Sequence, residues 1–194
     1  MNGNERFILN NKELEFGILD LWQSKYANIY NMQDVIAEFL VEKALVIDKA
    51  QNTDYWTLWD ILYRGYRIEV KETGYYHPWN ENGKISFQRN FGITKANSNY
   101  ESEETENKYE RQNDIYVFCL NTGDTRETSN PMNVNNWEFY IVRTAVINQE
   151  CGNNKHISLG RVRKIAKSVK YEKIKECIDE IINEMRRKAA NNKC

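Results

Sequence analysis

A chain of 194 residues with 41% hydrophobic and 28% charged side chains and a net charge of −1 has the make-up of one globular domain with a real core, so disorder over most of its length is not expected. Met1 to Asn11 contains no apolar signal region and no later stretch approaches the length of a membrane span, so a soluble, unsecreted, cytoplasmic protein without membrane contact is expected. Cys119, Cys151, Cys177 and Cys194 are far apart and form neither a CxxC nor a Cys/His cluster, which leaves reduced structural cysteines rather than a zinc site or a disulfide framework.

Asn31 to Asp48 predicts a helix. Val35, Ile36, Phe39, Leu40, Ala44, Leu45 and Val46 wrap most of its circumference, as in a largely buried helix, and Asp34, Glu38 and Glu42 form one narrow acidic strip at i, i+4 spacing. Tyr55 to Leu62 and Tyr66 to Thr73 are β-branched and aromatic runs joined across Tyr63-Arg64-Gly65, the pattern of a hairpin with Gly65 in the turn. A long aromatic loop from Gly74 leads to a strand near Lys84 to Gln88. Asn97 to Asn113 is polar and acidic, either a loop or a short surface helix. Asp114 to Leu120 suits a central strand and Trp137 to Arg143 its neighbour, with Asn121 to Asn136 as a long connection. Ser158 suits the N-cap of a helix running to about Val169. Tyr171 to Lys188 continues as an amphipathic helix with Tyr171, Ile174, Ile178, Ile181, Ile182 and Met185 on one side. Helix, hairpin, further strands and terminal helices together predict an α/β domain with a mixed sheet covered by helices.

If the hairpin closes about Arg64-Gly65 with a two- or four-residue loop, Asp60 falls opposite Glu69. Lys71 then shares the face of Glu69, while Trp59, Ile61, Ile68 and Val70 point to the other, apolar face. Two opposed carboxylates repel each other by roughly 0.2 to 1 kcal/mol even in an exposed sheet, so something positive belongs between them. A hard divalent cation such as Mg²⁺ fits, with Lys71 placed to hold water or to neutralise charge on a phosphate. The bare D…ExK spacing equally describes an ion-pair cluster on a solvated sheet face.

With their surroundings, these residues resemble the PD-(D/E)XK nuclease superfamily, whose signature is an acidic residue, a hairpin turn and then (D/E)-x-K. Asp60 matches the first position and Glu69-Val70-Lys71 the second. The runs Ala37 to Val41, Trp56 to Asp60, Ile68 to Lys71, Phe91 to Ile93, Asp114 to Leu120 and Trp137 to Tyr140 are similar in order and spacing to a largely uncharacterised bacterial group of that superfamily. The similarity runs from about Asn31 to Ile182. Trp59 stands where a proline often precedes the aspartate; that proline binds no metal. The resemblance implies a restriction-endonuclease-like fold, a central mixed sheet flanked by helices in a single domain over residues 1–194. It also implies a catalytic set of Asp60, Glu69, Lys71 and Glu38, with Mg²⁺ or Mn²⁺ on Asp60 and Glu69.

From Lys155 onward there are 12 Lys/Arg against 5 Asp/Glu, and before it 15 against 23, so a basic, amphipathic helical C-terminal region follows an acidic body. That basic region is either an anion-binding surface or a solvated helical face. Tyr76, Lys84 and Arg89 after the motif strand, and Arg161, Arg163, Lys164 and Lys167 beyond Ser158, are the candidate nucleic-acid contacts. Trp79 suits packing, and His77 and His156 carry no catalytic role. The expected activity is metal-dependent hydrolysis of phosphodiester bonds, of DNA in a restriction, defence or repair setting. The alternatives are an RNA-directed enzyme of the same chemistry and a non-cleaving module that binds nucleic acid or protein. Cutting both strands takes two sites, which makes a homodimer an option that no sequence feature demands.

Overall fold

The computed structural model describes residues 4–9, 12–26, 32–46, 59–76, 89–97 and 109–191. Strands β1 (Arg6–Leu9) and β2 (Lys12–Gly17) pair antiparallel and lead into helix α1 (Ile18–Tyr26), where Gly17 N–H donates to Asp20 Oδ2 at 2.7 Å. Helix α2 (Gln33–Ala44) precedes the hairpin of β3 (Ile61–Tyr63) and β4 (Tyr66–Gly74). Short strands β5 (Asn90–Gly92), β6 (Ala96–Asn97) and β7 (Tyr109–Glu110) follow, then β8 (Ile115–Asn121) and β9 (Trp137–Arg143). Helix α3 (Thr144–Cys151), β10 (His156–Ser158), α4 (Leu159–Ile165), β11 (Ser168–Val169) and α5 (Ile174–Asn191) complete the described chain.

The architecture is mixed α/β. Five strands form one sheet in the order β11-β9-β8-β4-β3, with β4 and β8 parallel and the other neighbours antiparallel. β8 is buried at all seven positions, because a strand between two partners with both faces covered has neither face open to solvent; its one side-chain amide, Asn121, is satisfied by Ser129 O at 3.0 Å. The hairpin closes with the two-residue loop Arg64-Gly65, and the pairs Ile61↔Ile68, Leu62↔Arg67 and Tyr63↔Tyr66 fix its register. Both loop residues have positive φ, 52° and 83°, the backbone whose twist matches two antiparallel strands. Gly65 adopts it without a Cβ penalty. Arg64 is held there by docking on α5: Nη1 reaches Asp179 Oδ1 at 2.7 Å, and its carbonyl accepts from Arg186 Nη2 at 3.1 Å.

Alternation along the strands divides the apolar side chains between two cores. On one face Ile68, Val70, Ile115, Val117, Phe139 and Ile141 pack against Ala37 and Val41 of α2 and Ile174, Ile178 and Ile182 of α5. On the other, Tyr116, Phe118, Leu120, Tyr140 and Val142 pack beneath Phe91, Ile147, Ile157, Leu159 and Val162. β10 pairs with β5 over this second face, and the Phe91 and Phe118 rings meet at 4.8 Å. Arg111 pins the cover in place. Its Nε donates to Ile93 O at 2.8 Å, and its terminal nitrogens reach Asn148 Oδ1, Gly152 O and Asn154 O at 2.6, 3.0 and 3.0 Å.

Four expectations are corrected. Helix α2 is buried along one side only: Ala37 and Val41 face β4, while Val35 and Phe39 are about half exposed. Its acidic strip is graded, from exposed Asp34 through partly buried Glu38 to buried Glu42, because the strip winds from solvent to the packed side. The helix capped by Ser158 ends at Ile165 rather than near Val169, since Ser168 and Val169 pair with Tyr140 and Phe139 at the sheet edge. Trp59 does not join the core; its ring lies 5.5 Å from the Arg67 guanidinium. The strand near Lys84 to Gln88 and most of the Asn97 to Asn113 segment fall outside the described residues, and so does the first half of Tyr55 to Leu62. Cys119 and Cys151 are buried free thiols and Cys177 is a partly buried one. Among the described residues no helix is long and apolar enough to cross a membrane.

Candidate functional site

Asp60, Glu69 and Lys71 come together on the β3–β4 hairpin at the sheet edge. The paired ladder stops at Ile61↔Ile68, so Asp60 is not a ladder partner of Glu69 as the continued register would have it. Its backbone N–H donates to Ile68 O at 3.1 Å, and its Oδ2 accepts the Val70 N–H at 2.7 Å. A carboxylate oxygen thus takes the place that a backbone carbonyl holds in a regular ladder. Glu69 and Lys71 project from β4 on the face of Tyr116 and Phe118, their neighbours across the parallel pairing. Lys71 Nζ is ion-paired with Glu69 Oε1 and lies 3.9 Å from Asp60 Oδ2. All three remain open to solvent in part, with side-chain exposures of 29% for Asp60, 18% for Glu69 and 34% for Lys71.

Burial, followed by the charge of Asp60, lifts the Glu69 carboxyl above the ordinary carboxylate range; Lys71 opposes the rise and Glu38 adds to it. Glu38, partly buried on α2, therefore acts electrostatically on the same carboxylate that Asp60 and Lys71 flank. Among the described residues no three or more His, Cys, Asp and Glu side chains converge as a metal cage. Two neighbouring hard carboxylate donors fit an ion such as Mg²⁺, which binds through one or two carboxylates and keeps several waters.

The expected nucleic-acid contacts separate. Lys84 lies outside the described residues. Tyr76 is partly buried just beyond the end of β4. Arg89 stacks its guanidinium over the Tyr75 ring at 4.1 Å, with Nε sealed from solvent and making no hydrogen bond. Arg163 donates from Nε to the Tyr140 hydroxyl at 3.0 Å and from Nη2 to the Tyr75 hydroxyl at 3.2 Å, and pairs with Glu138 at 3.5 Å. The Tyr140 contact raises the Arg163 pKa and keeps it protonated. Arg161 pairs with Glu150 at 3.1 Å. Lys164, at the end of α4, and Lys167, beyond it, are exposed.

Sequence reasoning did not bring Arg89 and Arg163 together, nor did it find the cavity of about 470 Å³ they line with Tyr75, Asn90, Ser158, Leu159 and Gly160. Arg89 and Arg163 are 74 positions apart, and the β5–β10 pairing together with their shared contact on Tyr75 joins them. Alternation along β9 was the available signal for Glu138 and Tyr140, which share a face. The strongly apolar run from Phe139 to Val142 obscured it.

The described chain is a mixed α/β protein bearing an Asp-Glu-Lys cluster on an edge hairpin. Comparisons with models of known families, with curated proteins and with solved structures found no match to it.

Proposed function

We propose that this protein is a divalent-metal-dependent nuclease of the PD-(D/E)XK, restriction-endonuclease-like type that hydrolyses phosphodiester bonds of DNA in the cytoplasm. The supporting observation is the gathering of Asp60, Glu69 and Lys71 on one side of the hairpin, with Glu38 acting on Glu69 from α2. Asp60 and Glu69 would hold Mg²⁺ or Mn²⁺, which when bound polarises a phosphoryl oxygen and lowers the pKa of water. The Val70 N–H fixes the Asp60 carboxylate, so this ligand is held before metal or substrate arrives. Lys71, already between the two acids, is placed to orient water and to neutralise charge developing on the phosphate.

The Lys71–Glu69 ion pair also favours a second reading, a non-cleaving module in which the cluster satisfies itself and the scaffold only binds nucleic acid or protein. Cleavage of a panel of plasmid, linear, single-stranded and modified DNA and of RNA, with metal and with Lys71→Ala as control, decides between them. The nuclease cuts at least one substrate, and Lys71→Ala loses the cut. Identical behaviour of parent and variant on every substrate removes the nuclease from consideration. Calorimetric titration with Mg²⁺ or Mn²⁺ separates the readings again, because only the nuclease shows uptake that Asp60→Ala abolishes.

A further inference from the structure

We propose that the cavity between Arg89 and Arg163 is a phosphate-binding site distinct from the Asp60-Glu69-Lys71 cluster. In the nuclease reading, on which this part of the inference rests, its occupant is a phosphate of the substrate strand away from the cut. The cavity, about 470 Å³, is walled by Tyr75, Arg89, Asn90, Ser158, Gly160 and Arg163, and among the described residues the only charged groups in that lining are the two guanidiniums. Glu138 partly neutralises Arg163 from outside the lining, at 3.5 Å. Among the described residues no carboxylate pairs with Arg89, which rests on the Tyr75 ring with its Nε buried and making no hydrogen bond. Arginine's planar fork suits phosphate oxygens, and the volume falls within the roughly 300 to 1,000 Å³ of ordinary ligand pockets, room for a phosphate with its sugar.

Its position relative to the hairpin follows from the sheet register. Glu69, Lys71, Thr73 and Tyr75 succeed one another on one side of the β4 chain, so Tyr75 is about 13 Å along from Lys71 at 3.3 Å per residue. Lys71, Phe118 and Tyr140 form one row across three strands, which puts Tyr140, the hydrogen-bond partner of Arg163, about 10 Å from Lys71. At 3.4 Å of rise per nucleotide, that separation corresponds to roughly three to four nucleotides of one strand.

The test begins without metal or cleavage. The full chain in EDTA is titrated with inorganic phosphate while the arginine Nε–H signals are followed by NMR. Saturable shifts of the Arg89 and Arg163 signals are expected, with apparent affinity at least tenfold weaker in Arg89→Met, which keeps a long side chain on Tyr75. Gly160→Glu gives a second variant. A Cβ at Gly160 meets nothing within 4 Å, and a glutamate early in a helix is favourable, so this chain folds while presenting a negative charge to the cavity. It too should bind phosphate at least tenfold more weakly. Absence of saturable shifts, or unchanged affinity in both variants, overturns the proposal.

A second arm adds oligonucleotides with a 5′-phosphate or a 5′-hydroxyl to Asp60→Ala protein. Tighter binding of the phosphorylated strand, lost in Gly160→Glu, assigns the site to a terminal phosphate; equal binding of both, weakened by Gly160→Glu, assigns it to a backbone phosphate. Insensitivity of both strands to Gly160→Glu overturns the substrate role. Phosphate binding alongside a wholly negative cleavage panel leaves the cavity standing and removes the nuclease; cleavage without phosphate binding does the reverse.

Discussion

Asp60 Oδ2 accepts the backbone N–H of Val70 at 2.7 Å, so the first acid of the cluster is also a structural member of the hairpin it sits on. One carboxylate thereby serves both the sheet edge and the charged cluster. Substitution can separate these roles.

Asp60→Asn keeps an oxygen that can accept from Val70 and removes the charge; Asp60→Ala removes both. Asp60→Ala should lower stability by about 1 to 3 kcal/mol in urea denaturation, with Asp60→Asn falling less. Both should abolish calorimetric Mg²⁺ uptake. Full uptake by Asp60→Asn would take Asp60 out of the ligand set.

Lys71→Met leaves Glu69 with Asp60 and Glu38 and no compensating ammonium. The Glu69 pKa should rise further, read by carbon NMR of the carboxyl. Cleavage on any substrate the parent cuts should fall roughly 100-fold or more, the scale of removing a group aimed at developing charge. A fall in rate without a shift of Glu69 would separate Lys71 from the carboxylates it touches.

Glu72 provides the pH dependence. It lies on the core face of β4 with Oε1 sealed off and unpaired, and burial, followed by the charge of Asp34, pushes its pKa up to about 7. In the unfolded chain a glutamate titrates near 4.3, so between roughly pH 4.5 and 7 the native state holds the extra proton. Stability should therefore fall as pH rises through that window, by up to about 3 kcal/mol from this group alone. Glu72→Gln should flatten that part of the profile in urea denaturation at pH 5 and pH 8. An unchanged slope would show that Glu72 is not its source.

The cations beyond Ser158 should contribute unequally to binding nucleic acid. Lys164→Ala and Lys167→Ala should each reduce the slope of log affinity against log salt by about 0.9, the effect of one lost phosphate contact. Arg161→Ala should leave the slope nearly unchanged, because Glu150 already neutralises it at 3.1 Å. Fluorescence anisotropy on one DNA duplex at several salt concentrations reads all three. Equal slope changes would show that the internal pairing of Arg161 opens on binding.

The amino-acid order alone determined the hairpin, its turn at Arg64-Gly65, the central strand to within a residue (Asp114 to Leu120 against Ile115–Asn121), the strand from Trp137 to Arg143 and the apolar side of α5, because each follows from contacts between near neighbours or from a short period. For the same reason it placed Glu69 and Lys71 on one face. Only the tertiary structure decided what lies between elements. It showed Asp60 leaving the ladder to hold the Val70 N–H, Val35 and Phe39 of α2 turned outward, and α4 cut short where Ser168 joins the sheet. It also brought Arg89 and Arg163 into the lining of one cavity. Those outcomes depend on which surfaces meet across dozens of residues, and periodicity along a chain carries no information about its partner.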